Sequence, residues 1–243
     1  MTKTSLLILP ALLTGCIAQQ WTQPFDFTET IIQTDDFDIF TYVRISDDTC
    51  PIHIYIEGDG NSFDAHGVPT SDPTPRGTFM RTLSTQDTYP NVVYMARPCQ
   101  YIMSAQCNKT DWTTGRFSNK IVSSIASAIR KIAKNRPVVL IGYSGGAMVS
   151  GLVIQNNPDI NVQKWITIAG VLNHADWTKY FDDAPLVYSE NMTELPNIPQ
   201  IHYIADKDTV VPNELSRKWT ANNNLVLIKD SKHHRFKNLT LDF

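Results

Sequence analysis

Short apolar runs rich in β-branched and aromatic residues recur along most of this chain: "IHIYIEG", "NVVYMARP", "PVVLIGYS", "KWITIAG", "QIHYIAD" and "LVLIKDS". Several are apolar at consecutive rather than alternate positions. Strands covered on both faces read that way, so the pattern predicts a mostly parallel sheet. The stretch from Phe25 to Ile45 differs, because "TETIIQ" and "DIFTYVRI" alternate apolar and polar positions around Asp35-Asp36 and predict an antiparallel hairpin. Helical patterns lie between the later strands. In "FSNKIVSSIASAIRKIAKN", Phe117, Ile121, Ile125, Ile129 and Ile132 fall on one face, with Ser118 as the expected N-cap and Pro137 closing the connection to the next strand. "SGGAMVSGLVIQNN" predicts a second helix whose small residues permit close packing on a sheet, and "NELSRKWTANN" a short third one. Strands alternating with helices specify an α/β fold, a mostly parallel central sheet flanked by helices with the antiparallel hairpin at its N-terminal edge.

The 243 residues are 42% hydrophobic and 19% charged, with no internal repeat or low-complexity tract, which fits one domain around one sizeable core. A formal charge of −3 leaves no basic footprint, so nucleic acid is not expected as a partner. The N-terminus breaks the pattern. "MTKTSLLILPALLTGC" carries Lys3, an apolar run centred on Leu6 to Leu13, then small residues. That is the layout of an export signal, too short to span a bilayer as a permanent helix. Its end, Leu13-Thr14-Gly15-Cys16, resembles the lipobox of bacterial lipoproteins. The resemblance implies cleavage before Cys16 and acylation of its thiol, and acyl chains on one cysteine suffice for stable anchoring. The expected organisation is a signal peptide over 1–15, a tether over 16–24 and a folded domain over 25–243. The expected location is the bacterial cell envelope, facing the periplasm or the cell surface.

Export sets the redox expectation for the remaining cysteines. Cys99 and Cys107 enclose a short polar loop and are expected to form a disulfide, leaving Cys50 as a buried free thiol before a strand. No His or Cys cluster has metal-ligand spacing, so neither a metal nor another cofactor is expected.

Gly142-Tyr143-Ser144-Gly145-Gly146 is a G-x-S-x-G match, which ordinary Gly and Ser usage produces by chance in roughly one chain in ten of this length. Its setting gives it meaning. A buried strand ends at Ser144 and a small-residue helix begins at once, the geometry that exposes a nucleophilic hydroxyl on a strained turn. Asp208 follows the strand "QIHYI" in "ADKDTVVP", with Asp206 as a weaker rival for the same role. "SKHH" follows the last strand, and its pattern favours His233 as the base, with His234 as a neighbour, an alternate base or a substrate contact. The order Ser, Asp, His is the one this architecture requires. Two donors for an oxyanion are expected, the backbone N–H of Gly145 and that of Asp59 in "YIEGDGN". The acids Glu57 and Asp59 sit oddly beside a developing anion, and their side chains are expected to point away.

"YIEGDG", "PTPRG", "NVVYMARPCQY", "DWTTGRFS", "IGYSGGA", "IAGVLNHADWT", "DKDTVVP" and the "SKHH" loop together resemble the α/β-hydrolase superfamily, and within it a group of bacterial α/β-hydrolase-like lipoproteins. The resemblance spans nearly all of the mature length and implies a hydrolase fold with a serine triad. "EGDG" replaces the common His-Gly oxyanion motif of the superfamily. With Cys99 and Cys107 bridged, "ARPCQY" and "DWTTGRFS" would form a rigid flap beside Ser144, where Arg97, Trp112 and Arg116 either contact substrate or pin the flap, the second being favoured. His174 and Asp176 in "GVLNHADWT" are expected near the pocket, Asp176 as a distant alternate for the triad acid. The expected activity is that of a carboxylesterase-like serine hydrolase on a small, accessible acyl ester or thioester. The segment between the sixth and seventh strands is too modest for a bulky lid. The alternative is a non-catalytic envelope lipoprotein that uses the same fold for binding.

Overall fold

The computed structural model describes residues 22–220, 224–233 and 235–243. The expected signal peptide, Cys16 and His234 lie outside them. Among the described residues one sheet is built from β1 (Thr28–Gln33), β2 (Asp38–Ile45), β3 (Ile52–Ile56), β4 (Asn91–Met95), β5 (Val138–Tyr143), β6 (Val162–Ile168), β7 (Gln200–Ala205) and β8 (Leu225–Ile228). Their spatial order is β1-β2-β4-β3-β5-β6-β7-β8. The hairpin closes with Gln33 opposite Asp38, and β2 also runs antiparallel to β4. Every later pairing is parallel, with Ile54 beside both Val93 and Leu140 at the centre of the sheet.

The consecutive apolar runs are explained by burial on both faces. Alternate side chains of a strand point to opposite sides, and here both sides are covered. Ile52, Ile54 and Ile56 of β3 join Val138 and Leu140 of β5 in one apolar cluster, while Tyr55 joins Val139 and Ile141 in the other. Helices α2 (Asn119–Ala133) and α3 (Gly145–Asn156) cover the first face, and α1 (Phe79–Gln86) covers the second through Met80. Ile121, Ile125, Ile129 and Ile132 of α2 are all buried. Each such side chain contributes roughly 1.5–3 kcal/mol relative to an exposed one. Ser118 does occupy the N-cap position, but its hydroxyl makes no cap bond; its carbonyl accepts from Val122 N–H at 3.0 Å.

The sequence pattern passes over two helices, α1 and α4 (His174–Tyr180). Both are short, and their polar positions hide the period; tertiary packing and the Asn173 side chain, which accepts from Asp176 N–H, hold α4 in place. The short α5 (Asn213–Trp219) follows as expected. Cys99 and Cys107 are disulfide-bonded. Cys50 is unbridged but only half-buried, with its Sγ 3.4 Å from Asp47 Oδ2. It lies in the exposed turn before β3 rather than in the strand, which is why burial is incomplete. No helix among the described residues is long and apolar enough to cross a membrane.

Candidate active site

Parallel strands end on one edge of the sheet, and the loops leaving those ends carry the residues singled out in the sequence. Ser144 is the turn between β5 and α3, with φ 50° and ψ −122°. A non-glycine residue takes that conformation only where its surroundings impose it. Two glycines make the turn possible. A Cβ on Gly142 would lie 2.5 Å from Ser150 Oγ and 2.6 Å from Ala147 Cα, and one on Gly146 would lie 2.5 Å from the carbonyl oxygens of Ile56 and Glu57. Any side chain there would push α3 off β3 and release the turn. The turn is tied in by Ser144 N–H, which donates to Ile168 C=O at 3.0 Å, and by its own carbonyl, which accepts from Val171 N–H at 3.1 Å.

His233 Nε2 is 3.0 Å from Ser144 Oγ, and His233 Nδ1 is 2.9 Å from Asp208 Oδ2. The second carboxylate oxygen, Oδ1, accepts from the backbone N–H groups of Val210 and Val211 at 2.8 and 2.9 Å. Those bonds fix the orientation of Asp208, so its free oxygen is aimed at the imidazole. With Asp208 ionised, Nδ1 carries the ring proton and Nε2 accepts from the serine hydroxyl. Asp206 plays a different part. Its Oδ1 accepts from Ser231 N–H at 3.0 Å, and Lys207 N–H donates to Ser231 C=O at 3.0 Å, so the turn after β7 grips the loop that carries His233. Tyr143 adds a bond no sequence signal announces: its hydroxyl donates to His233 C=O at 3.1 Å.

Asp176 is not brought to His233. Its two carboxylate oxygens accept from Lys218 Nζ, each at 2.7 Å, and Oδ2 also accepts from Trp219 Nε1. Position on α4 turns it toward α5 instead. These bonds hold the Asp176 carboxyl below the usual range, the Lys218 contact foremost. His174 also misses the pocket: its ring stacks on Phe117 at 5.8 Å between centroids, and burial lowers its pKa.

The two puzzling acids have separate explanations. Glu57 is buried at the edge of the cavity, with Oε1 accepting from Gly58 N–H and Oε2 from the Tyr94 hydroxyl, both at 2.9 Å; burial raises its pKa. Asp59 does not turn its carboxylate away into solvent. Arg97 Nη1 lies 3.2 Å from its Oδ1 and Arg116 Nε 3.0 Å from its Oδ2. The flap built on Cys99–Cys107 is therefore pinned to the loop after β3 by ion pairs, while Arg116 also lines the pocket. Trp112 is buried and lines a small internal cavity together with Arg97, Arg116 and Asp59.

Ser144 and His233 open into a cavity of about 1260 Å³. Phe79, Leu83, Trp177, Leu186, Phe236 and Leu239 supply much of its apolar lining. Trp177 and Leu186 belong to the segment between β6 and β7. Among the described residues, no group of His, Cys, Asp or Glu is placed to hold a metal ion.

Comparison with known proteins bears on the family and the fold. The model of a family described as serine hydrolase (FSH1) matches residues 87–235. No curated protein matches the chain. A lidless α/β serine hydrolase of Xanthomonas campestris superposes with a TM-score of 0.56 at 12% identity, over 89% of each chain. An α/β serine hydrolase homologue from Coxiella burnetii gives 0.55 at 16% identity, over 88% of this chain and 92% of that one. An esterase of Pyrococcus furiosus gives 0.57 at 17% identity, over 86% and 85%. At these identities the likeness is one of fold, the α/β-hydrolase fold.

Proposed function

This chain belongs to the serine hydrolase (FSH1) family, and we propose that it cleaves carboxylic esters or thioesters through an acyl-enzyme on Ser144. One observation carries the reading: Asp208, His233 and Ser144 form a continuous relay with contacts of 2.9 and 3.0 Å at a pocket floor. Ser144 Oγ attacks the acyl carbon while His233 Nε2 takes its proton, and Asp208 stabilises the imidazolium that results. The tetrahedral adduct collapses, the C–O or C–S bond to the leaving group breaks, and the alcohol or thiol departs with the proton from Nε2. Water repeats the sequence in the second half, losing its proton to His233 and releasing the acid and free Ser144. The first N–H groups of α3 have no intrahelical acceptor, so the N–H of Gly145 is available to the oxyanion, with Asp59 N–H as its partner. The large apolar cavity supports an acyl group as the part of the substrate held beside Ser144.

Covalent labelling by a fluorophosphonate probe tests the reading. Wild type is expected to label and to hydrolyse p-nitrophenyl butyrate; Ser144→Ala and His233→Ala are expected to lose both, and His234→Ala to keep them. Labelling that persists in Ser144→Ala would sink the mechanism. A screen of p-nitrophenyl esters by acyl length then defines the pocket's preference.

The reading extends to location. A lipid anchor on Cys16 would hold this hydrolase on a membrane of the bacterial cell envelope, as the Leu13-Thr14-Gly15-Cys16 run implies. The full chain is expected to partition with membranes, and Cys16→Ser to be released; membrane partitioning unchanged in Cys16→Ser refutes the anchor.

A further inference from the structure

The peptide between Gly58 and Asp59 is held from behind. Gly58 C=O accepts from Gln100 Nε2 at 2.9 Å, and Gln100 is itself fixed, since its Oε1 accepts from Arg97 N–H at 3.0 Å. In a trans peptide the carbonyl and the following N–H point in opposite directions, and no described peptide is cis. Asp59 N–H therefore points away from buried Gln100. It meets no backbone acceptor among the described residues. A Cβ on Gly58 would lie 3.2 Å from Ser144 Cβ, so this loop borders the nucleophile directly.

The Asp59 side chain is held just as firmly. Arg97 and Arg116 are 4% and 6% exposed, and they grip one carboxylate oxygen each. Arg97 Nη2 also donates to Arg116 C=O, which ties the two arginines together. The carboxylate packs onto the start of α3, where a Cβ on Gly145 would fall 1.9 Å from Asp59 Oδ1. An isolated carboxylate this close to Gly145 would oppose an oxyanion bound there. Two guanidiniums against one carboxylate give the cluster a formal charge of +1 instead, within a site where such charges are weakly screened.

We propose that Arg97, Arg116 and Gln100 form a positioning frame that aims Asp59 N–H at the oxyanion and reverses the sign of the charge Asp59 brings beside it. This rests on Ser144 being the nucleophile. The arginines act through Asp59. The Cys99–Cys107 bridge lies within the frame, because Cys99 is one residue from Gln100 and two from Arg97.

The test compares wild type, Arg97→Met, Arg116→Met and each of these combined with Asp59→Asn. It reads kcat and KM for p-nitrophenyl butyrate and the rate of Ser144 labelling by a fluorophosphonate, whose phosphoryl oxygen uses the same donors. In the single variants, kcat and the labelling rate are expected to fall about tenfold or more, with KM within about twofold. Adding Asp59→Asn removes the uncompensated carboxylate and is expected to restore the rates at least about threefold. A merely structural role predicts no such recovery. If Arg97→Met does not fold, the Arg116 pair reads the same quantities. Single variants within about twofold of wild type, or doubles no faster than singles, overturn the frame and leave the Ser144 reading intact. Wild type that does not label at Ser144 overturns both.

Discussion

Tyr143 holds His233: its hydroxyl donates to the histidine's backbone carbonyl at 3.1 Å, and the two rings lie 5.2 Å apart. The residue before Ser144 thus ties down the loop carrying His233, the general base of the proposed mechanism. Burial keeps the Tyr143 hydroxyl protonated, raising its pKa well above the ordinary value. Tyr143→Phe is expected to lower kcat about threefold to tenfold with little change in KM, the scale of one lost neutral hydrogen bond. Steady-state kinetics on p-nitrophenyl butyrate checks this.

Asp208→Asn keeps an oxygen for Val210 and Val211 N–H and leaves the fold in place. The amide cannot stabilise an imidazolium and can select the wrong ring tautomer. A loss of about 10³- to 10⁴-fold in kcat is expected, with the melting temperature nearly unchanged. Asp176→Asn, whose carboxylate serves Lys218 and Trp219, is expected to leave kcat within about twofold.

Gly142→Ala places a methyl group 2.5 Å from Ser150 Oγ and 2.6 Å from Gly146 C=O. Relief requires moving α3 away from β5, at a cost of about 1–3 kcal/mol or more. Reduced melting temperature and loss of fluorophosphonate labelling are expected together, because the same shift releases the Ser144 turn.

His202 is a buried residue of β7 beside β6, with Nδ1 accepting from Thr167 Oγ1 at 2.8 Å and Nε2 donating to Gln200 Oε1 at 3.0 Å. Both bonds suit the neutral ring, and burial lowers its pKa from 6.5 to about 4. Between those values the unfolded chain binds a proton that the folded chain refuses, so stability falls as pH falls through this window. The full effect is about 3 kcal/mol. Denaturant titrations at pH 7 and pH 4.5 are expected to show the loss, and His202→Gln to flatten it.

Cys99 and Cys107 are eight residues apart. Closing so short a loop contributes about 2–3 kcal/mol in the chain-entropy account. Because Arg97 and Gln100 flank Cys99, dithiothreitol is expected to lower kcat as well as the melting temperature. Thermal melts and initial rates with and without reductant measure both.

Much of the architecture was legible because burial on two faces leaves a direct trace in composition. The runs around Ile54, Val93 and Leu140 announced parallel strands, and the Ile121–Ile125–Ile129 stripe announced α2. The short α1 and α4 left no such trace, since a helix of seven or eight residues is held by its neighbours rather than by its own pattern. Among the chemical groups, Ser144 was readable from its glycines. Asp208 and His233 were readable from their positions after strands and from the "DKDTVVP" and "SKHH" loop patterns.

The sequence by itself determined the α/β order of elements, the turn conformation that Gly142 and Gly146 permit at Ser144, and the chain order of Ser144, Asp208 and His233. Those properties are local, set by side-chain volume, backbone freedom and periodicity within a few residues. The sequence favoured Asp208 over the distant alternate Asp176 by its place after a strand; the tertiary structure decided what each one meets, joining Asp208 to His233 and turning Asp176 to Lys218 and Trp219. It also decided the fate of Asp59. A carboxylate's effect on a neighbouring anion depends on charges brought from 38 and 57 residues away, Arg97 and Arg116, and no local pattern encodes that meeting.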